Sequence, residues 1–244
     1  MAGDCETLGL MSHRFYCPQL VEAGSVTLTD SEAHHLAHVL RSQQGDIVEL
    51  FDGNGLVATC RIATLRKRDV ELEVQSARRE KLPQKGLTIA TAVPKGDRFD
   101  WLIEKATELG VSQLIPLTTS RSVVDPRTSK LDKLRQTVVA ACKQSGRNHL
   151  MEIGSVTSWP DFIRQFVPDH TVLIAHPQGE LLESIEPVLA NQEKTLLVAI
   201  GPEGGFSDVE IQLALRAGAK AIQLGSKILR IETAAIGLAA KFLL

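Results

Sequence analysis

The sequence predicts a two-part fold: a small β-barrel followed by an α/β domain built on a parallel sheet. Three observations carry this reading. Leu82-Pro83-Gln84-Lys85-Gly86 is a short breaker segment between two textures of sequence. Before it, short β-rich runs are separated by turn residues, a spacing that suits a small barrel. After it, apolar runs of strand length alternate with stretches of helical periodicity, the pattern of an α/β parallel sheet. The domains are therefore placed at 13–82 and 86–244, with residues 1–12 as a disordered extension.

Residues 1–12 carry Asp4 and Glu6 and lack a basic segment followed by an apolar one, so they do not read as a secretory signal. Met11 offers an alternative start. In the first domain Ser25–Thr29 and Ile47–Phe51 are short strands. Between them a helix opens with the capping box Thr29-x-x-Glu32 and ends near Arg41. Asp52-Gly53-Asn54-Gly55 is a strong hairpin turn into a strand at Leu56–Thr64, and Asp69–Gln75 alternates polar and apolar residues.

In the second domain Leu87–Val93, Val111–Leu117, Thr171–Ala175, Leu196–Ile200 and Ala221–Leu224 read as strands. Phe99, Leu102, Ile103 and Ala106 fall on one helical face, with Gly110 as the stop. Leu131, Leu134 and Val138 do the same before Gly146. No internal repeat or low-complexity tract interrupts this alternation.

With 43% hydrophobic and 23% charged residues the chain can form an ordinary core. It has no run of eighteen apolar residues, so no membrane span is expected and the location is read as cytoplasmic. Four cysteines (Cys5, Cys17, Cys60, Cys142) lack C-x-x-C spacing and are read as reduced thiols. The net charge of −2 hides a division. Residues 86–149 hold 10 Lys/Arg against 6 Asp/Glu, while residues 150–244 hold 7 against 11. Arg121, Arg127, Lys130, Lys133, Arg135, Lys143 and Arg147 face only Asp125 and Asp132 within 121–149. A basic face on an acidic chain is the footprint of a nucleic-acid contact, although a solvated helix face has the same composition.

The most informative stretch is the apolar strand Leu196–Ile200 running into Gly201-Pro202-Glu203-Gly204-Gly205-Phe206, with Ser207-x-x-Glu210 as a capping box opening a helix. The glycines allow backbone to press against a ligand, or serve only a tight βα turn. No Gly-Lys-Ser/Thr follows, so this is not a P-loop, and Glu203 occupies the second glycine of a G-x-G-x-x-G fingerprint. A carboxylate there repels a pyrophosphate but tolerates a positively charged, phosphate-free adenosyl cofactor, which describes S-adenosylmethionine. A second loop of this type, Leu224–Ala234, follows some twenty residues later.

The motifs Lys95-Gly96 to Lys105-x-x-Glu108-Leu109-Gly110-Val111, Gln144-x-Gly146-Arg147-Asn148, Gly201–Gly205, and Leu224-Gly225 with Ile228-Leu229-Arg230-x-Glu232-Thr233 occur in that order. Together they resemble the ribosomal RNA small subunit methyltransferase E family, over nearly the whole chain from about His13. The resemblance implies a SPOUT-type parallel sheet with a trefoil knot, preceded by a PUA-like RNA-binding domain. It implies methylation of N3 of a uridine in 16S rRNA, with the small ribosomal subunit as partner, and a homodimer formed through the second domain. Two positions depart from the family: Ser120 where it usually has Glu, and Lys227 where it usually has Arg.

Methyl transfer to an imide nitrogen needs alignment, a base, and stabilisation of charge on O2 and O4. Arg230 is assigned the electrostatic role, with Glu203 and Glu232 as candidate bases. The cofactor is expected against Ile200, Gly201, Pro202, Glu203, Gly204 and Gly205, against Leu224, Gly225, Ile228 and Leu229, and beside Thr233 and Ala234. His176, at the end of the Thr171–Ala175 strand, is a further candidate. RNA contacts fall to Arg121, Arg127, Lys130, Lys133, Lys143 and Arg147. No metal is expected, since His34 and His38 lack the glutamate and third ligand of an H-E-x-x-H site. A 2′-O-ribose methyltransferase, a non-catalytic RNA-binding protein and a phosphate-binding nucleotidase are the alternatives. The apolar stretch Ala234–Ala240 followed by Phe242–Leu244 is expected to be a buried helix, covered by a partner or else wholly within one subunit.

Overall fold

The computed structural model describes residues 13–66, 68–82, 86–124, 128–184 and 195–244, and only the helix backbone at 128–131. Its internal contacts divide the chain into two compact units, with the boundary in sequence after Leu82.

The first unit is a five-stranded sheet. Its strands are β1 (Arg14–Tyr16), β2 (Ser25–Thr29), β3 (Ile47–Phe51), β4 (Leu56–Leu65) and β5 (Asp69–Arg79), in the order β1-β3-β4-β5-β2. β1 runs parallel to β3, and the other pairs are antiparallel. Alternation decides which side faces the core: Val26 and Leu28 are buried between exposed Ser25, Thr27 and Thr29. They join Phe15, Leu36, Leu50, Ile62 and Leu72 in one apolar cluster. The hairpin turn is held by the Asp52 carboxylate, which accepts from the amides of Asn54 and Leu56 at 2.6 and 3.0 Å. Burial pushes the thiols of Cys17 and Cys60 up, the latter to about 11, so both are unreactive neutral thiols. Cys5 lies outside the described residues.

The expected capping box at Thr29 does not form. The chain turns through φ 53° at Asp30, and the Thr29 hydroxyl donates to the Asp30 carboxylate instead of receiving an amide. The helix it opens, α1 (Asp30–His34), passes straight into one π-helical turn at His35–Val39.

Among its described residues the second unit holds seven parallel strands: β6 (Leu87–Ala92), β7 (Gln113–Thr118), β8 (Glu152–Ile153), β9 (Thr157–Ser158), β10 (Thr171–Leu181), β11 (Leu196–Ile200) and β12 (Lys220–Gln223). They are ordered β12-β10-β11-β6-β7-β8, with β9 beside β7. Its helices include α2 (Arg98–Leu109), α3 (Thr128–Ser145), α4 (Trp159–Phe166), α5 (Asp208–Ala217) and α6 (Ile231–Leu243). β6 is buried along its whole length, as befits a parallel strand covered on both faces. Trp159, Phe162 and Ile163 of α4 and Ile211 and Ala214 of α5 cover the side of the sheet that carries Ala90, Leu117, Ile174 and Ala199. α2 packs on α3 and α6.

Two features follow from chain order. β12 lies at the edge of the sheet, yet α6 packs on β11 and β6, beyond β10. That return path is consistent with the trefoil knot. β10 is longer than the alternation Thr171–Ala175 indicates. Ile222 of β12 faces both Ala175 and Glu180, so His176-Pro177-Gln178-Gly179 bulges out between them. Gly179 makes this approach: a Cβ there would lie 2.5 Å from backbone atoms of Ile222.

Candidate active site

Because β12, β10, β11 and β6 are adjacent and parallel, the segments at their C-terminal ends come together. This is where ligands sit in open α/β sheets. The β11 segment is the most constrained. Phe206 is buried with its ring centroid 4.2 Å from that of Trp159. The backbone of Gly201 lies on the same ring, so a Cβ at 201 would come within 3.0 Å of it. Between them the Gly205 amide donates to the carbonyl of Pro202 at 2.8 Å, with φ 68° at Gly205. The expected capping box is present: Ser207 and Glu210 exchange side-chain and backbone hydrogen bonds at the start of α5.

Glu210 also reaches out of its helix. Its carboxylate accepts from the amide and hydroxyl of Ser120, at 2.8 and 2.9 Å, in the segment after β7. Burial raises its pKa, but the amides of Ser120 and Ser207 and both hydroxyls outweigh that and leave it below the ordinary carboxylate range. Ser120 thus supplies two donors. A glutamate there would set a second carboxylate against Glu210.

Arg98, at the start of α2, carries no signal of its own in the sequence, although it lies between Lys95-Gly96 and Lys105. Its guanidinium donates to Glu203 at 3.2 Å, lies 3.7 Å from Glu232, and donates from Nε to the carbonyl of Lys95 at 3.1 Å. Both candidate bases are therefore gathered around one cation. Arg121 donates to the carbonyl of Gly204 at 2.7 Å, and its aliphatic part covers Gly204. The β12 segment is open: Gly225, Lys227 and Arg230 are exposed, Ile228 is 92% exposed and Leu229 39%. Ala234 is buried at the start of α6, and Thr233 is exposed. His176 sits in the β10 bulge, its Nδ1 accepting from the Gln178 amide at 3.2 Å.

The basic residues separate by environment. Lys133 pairs with Asp100 at 2.7 Å on the surface. Lys143 is half-buried on α3. Arg147 donates to the carbonyl of Thr107 at 2.9 Å near the end of α2, and burial lowers its pKa while it remains charged. Arg127 and the side chain of Lys130 lie outside the described residues. Among the described residues, no group of three or more His, Cys, Asp or Glu side chains is placed to hold a metal ion.

An RNA methyltransferase domain model matches residues 80–243, and an RNA methyltransferase PUA domain model matches residues 28–75. The chain is 32% identical to the ribosomal RNA small subunit methyltransferase E of Bacillus subtilis, covering 88% of each chain. It is also 32% identical to the Synechocystis protein of that name, over 88% of this chain and 71% of the relative. The chain belongs to the ribosomal RNA small subunit methyltransferase E family. This bears out the family resemblance and the fold class expected from the motifs. A crystal structure of the Neisseria gonorrhoeae member, described as bound to S-adenosyl methionine, superposes with a TM-score of 0.84 at 31% identity, over 95% of this chain and 96% of that one.

Proposed function

We propose that this protein transfers a methyl group from S-adenosylmethionine to N3 of a uridine in 16S rRNA. The observation that carries the reading is the convergence of three loop segments at adjacent parallel strands, with Arg98 in contact with both Glu203 and Glu232 and Arg230 two residues before Glu232. The residues fit the cofactor. Glycine backbone lines the β11 segment, apolar Ile228 and Leu229 stand exposed for an adenosyl group, and two carboxylates suit a cation. Bound S-adenosylmethionine supplies an electrophilic methyl on its sulfonium.

The cofactor is held by backbone of Ile200, Gly201, Pro202, Gly204 and Gly205 and by Leu224, Gly225, Ile228 and Leu229, with His176, Thr233 and Ala234 at the margin. Glu203 and Glu232 are the carboxylates available to accept the N3 proton. Arg230, always charged, offsets the negative charge that builds on O2 and O4 as that proton leaves. Incubating the protein with labelled cofactor and unmethylated small subunits, then digesting the RNA to nucleosides, tests this reading. It predicts 3-methyluridine. 2′-O-methyluridine would contradict it.

Arg121, Arg127, Lys130, Lys133, Lys143 and Arg147 serve the RNA, in an order set by their surroundings. Lys133 is exposed, whereas Arg147 is partly committed to the fold. No described helix is long and apolar enough to cross a membrane, and a cytoplasmic site of action is proposed. A homodimer is proposed through the part of α6 left uncovered. Ile231, Ala234, Ala235, Leu238 and Ala239 are buried within the chain, which leaves Thr233, Gly237 and Lys241 exposed beside half-buried Ile236 and Ala240. Partner cover is thus needed on a narrower face than the apolar sequence indicates.

A further inference from the structure

Arg98 is the first residue of α2, and its three contacts reach three different segments: the carbonyl of Lys95 after β6, Glu203 after β11, and Glu232 in the first turn of α6. Glu203 and the guanidinium are substantially exposed, so that pair alone contributes little. Glu232 differs. Its side chain is only 10% exposed, its Oε1 lies 3.7 Å from Arg98, and its Oε2 is buried without a hydrogen-bond partner among the described residues. A carboxylate oxygen shut away from water is costly unless a donor meets it. No described residue supplies that donor, and the other oxygen of the same carboxylate lies against the Arg98 guanidinium that also holds Glu203. One arginine between two carboxylates also leaves the trio with a net negative charge, which favours a donor that is cationic or gives up a proton.

We propose that Arg98 is a positioning residue that grips Glu203 and Glu232 together and leaves Oε2 of Glu232 as an acceptor for an N–H donor of the bound ligand. The proposal rests on the methyltransferase reading. Two ligand groups carry such a donor: the ammonium of S-adenosylmethionine and the imide N3–H of uracil. The fork geometry is needed because a lysine reaches one carboxylate as a point charge and cannot bridge both.

The test compares wild type with Arg98→Ala, Arg98→Lys, Glu232→Gln and the Arg98→Ala/Glu232→Gln pair, all in the full chain. Calorimetry with S-adenosylmethionine, kcat and KM for RNA, and melting temperature are measured for each. Wild type that neither binds the cofactor nor methylates RNA would remove the underlying reading and leave this proposal without a reaction to serve. With an active wild type, Arg98→Ala and Glu232→Gln should each lose about 10- to 100-fold, the range for a charged hydrogen bond. The loss falls in cofactor affinity if the donor is the ammonium, and in kcat with unchanged cofactor affinity if it is the imide. The double variant should be no worse than the worse single one, since the two residues act as a unit. Arg98→Lys should recover part of the loss. A lower melting temperature in Arg98→Ala with affinity, kcat and KM unchanged would overturn the proposal, as would singles whose losses multiply in the double variant.

Discussion

Replacing Gly179 with alanine should break the junction on which two of the three loop segments depend. A Cβ at 179 would lie 2.5 Å from the backbone N and C of Ile222 and 2.6 Å from the backbone C of Ala221. Carbon atoms sit comfortably at about 3.5–4.0 Å, so β12 would have to retreat by roughly 1 Å. Backbone cannot relieve the overlap by changing rotamer, which places the cost toward the upper end of overpacking, about 3 kcal/mol. A chain of this size loses about 2–4 °C per kcal/mol, so the melting temperature should fall by roughly 6–12 °C. The same retreat separates the His176–Gly179 bulge from the segment after β12, and cofactor affinity should fall with it. Gly237→Ala is the control. Beyond its own stretch of α6 no described atom lies within 4 Å of its Cβ position, and alanine there should stabilise the isolated fold by about 0.5–1 kcal/mol. Scanning calorimetry and cofactor titration on both variants decide the matter. A Gly179→Ala protein that melts and binds like wild type would refute the close approach of β10 to β12.

Glu210→Gln should destabilise the fold most at neutral pH. The carboxylate pKa is depressed in the folded state, so its contribution is complete above the unfolded value of about 4.3 and is lost as pH falls through the lower folded value. Melting curves against pH for both proteins should converge in acid, and a constant gap would contradict the linkage. Trp159→Phe removes a wholly buried indole N–H that donates to the Glu210 carbonyl at 2.9 Å, and should cost about 1–3 kcal/mol by urea titration. Gly204→Val tests the loop from another side. Its Cβ would meet only the flexible Arg121 side chain, at 3.4 Å, so the fold should tolerate it while cofactor binding weakens as Arg121 is pushed aside. Unaltered binding would separate that side of the loop from the cofactor. Sedimentation at dilute concentration should show a dimer, and a fully active monomer would refute the assembly proposed on α6.

Much of both sheets was legible because their strands are short apolar runs with sharp ends. Leu196–Ile200 and Ile47–Phe51 fall where the pattern places them. The Ser207–Glu210 capping box was legible for the same reason: both partners lie within one turn. Thr29 and Glu32 offer the same spacing, yet the positive φ at Asp30 takes the hydroxyl elsewhere, and no periodicity reports a dihedral angle. The extension of β10 past Ala175 was hidden because His176-Pro177-Gln178-Gly179 reads as a loop; only its pairing with Ile222 makes it a bulge. Arg98 was hidden by distance along the chain. It meets Glu203 over 105 residues, and a lone arginine at a helix start is ordinary on its own. The cofactor loops were readable from glycines and charge, but what gathers their carboxylates was not.

The most direct test of the central claim is mass-spectrometric mapping of small-subunit rRNA from a strain lacking this protein, complemented with either wild type or Arg230→Ala. The account predicts that one uridine loses an N3 methyl group in the deletion strain. Wild type should restore the group, and Arg230→Ala should restore little of it despite binding S-adenosylmethionine normally. An unchanged methylation pattern in the deletion strain, or full restoration by Arg230→Ala, would contradict it.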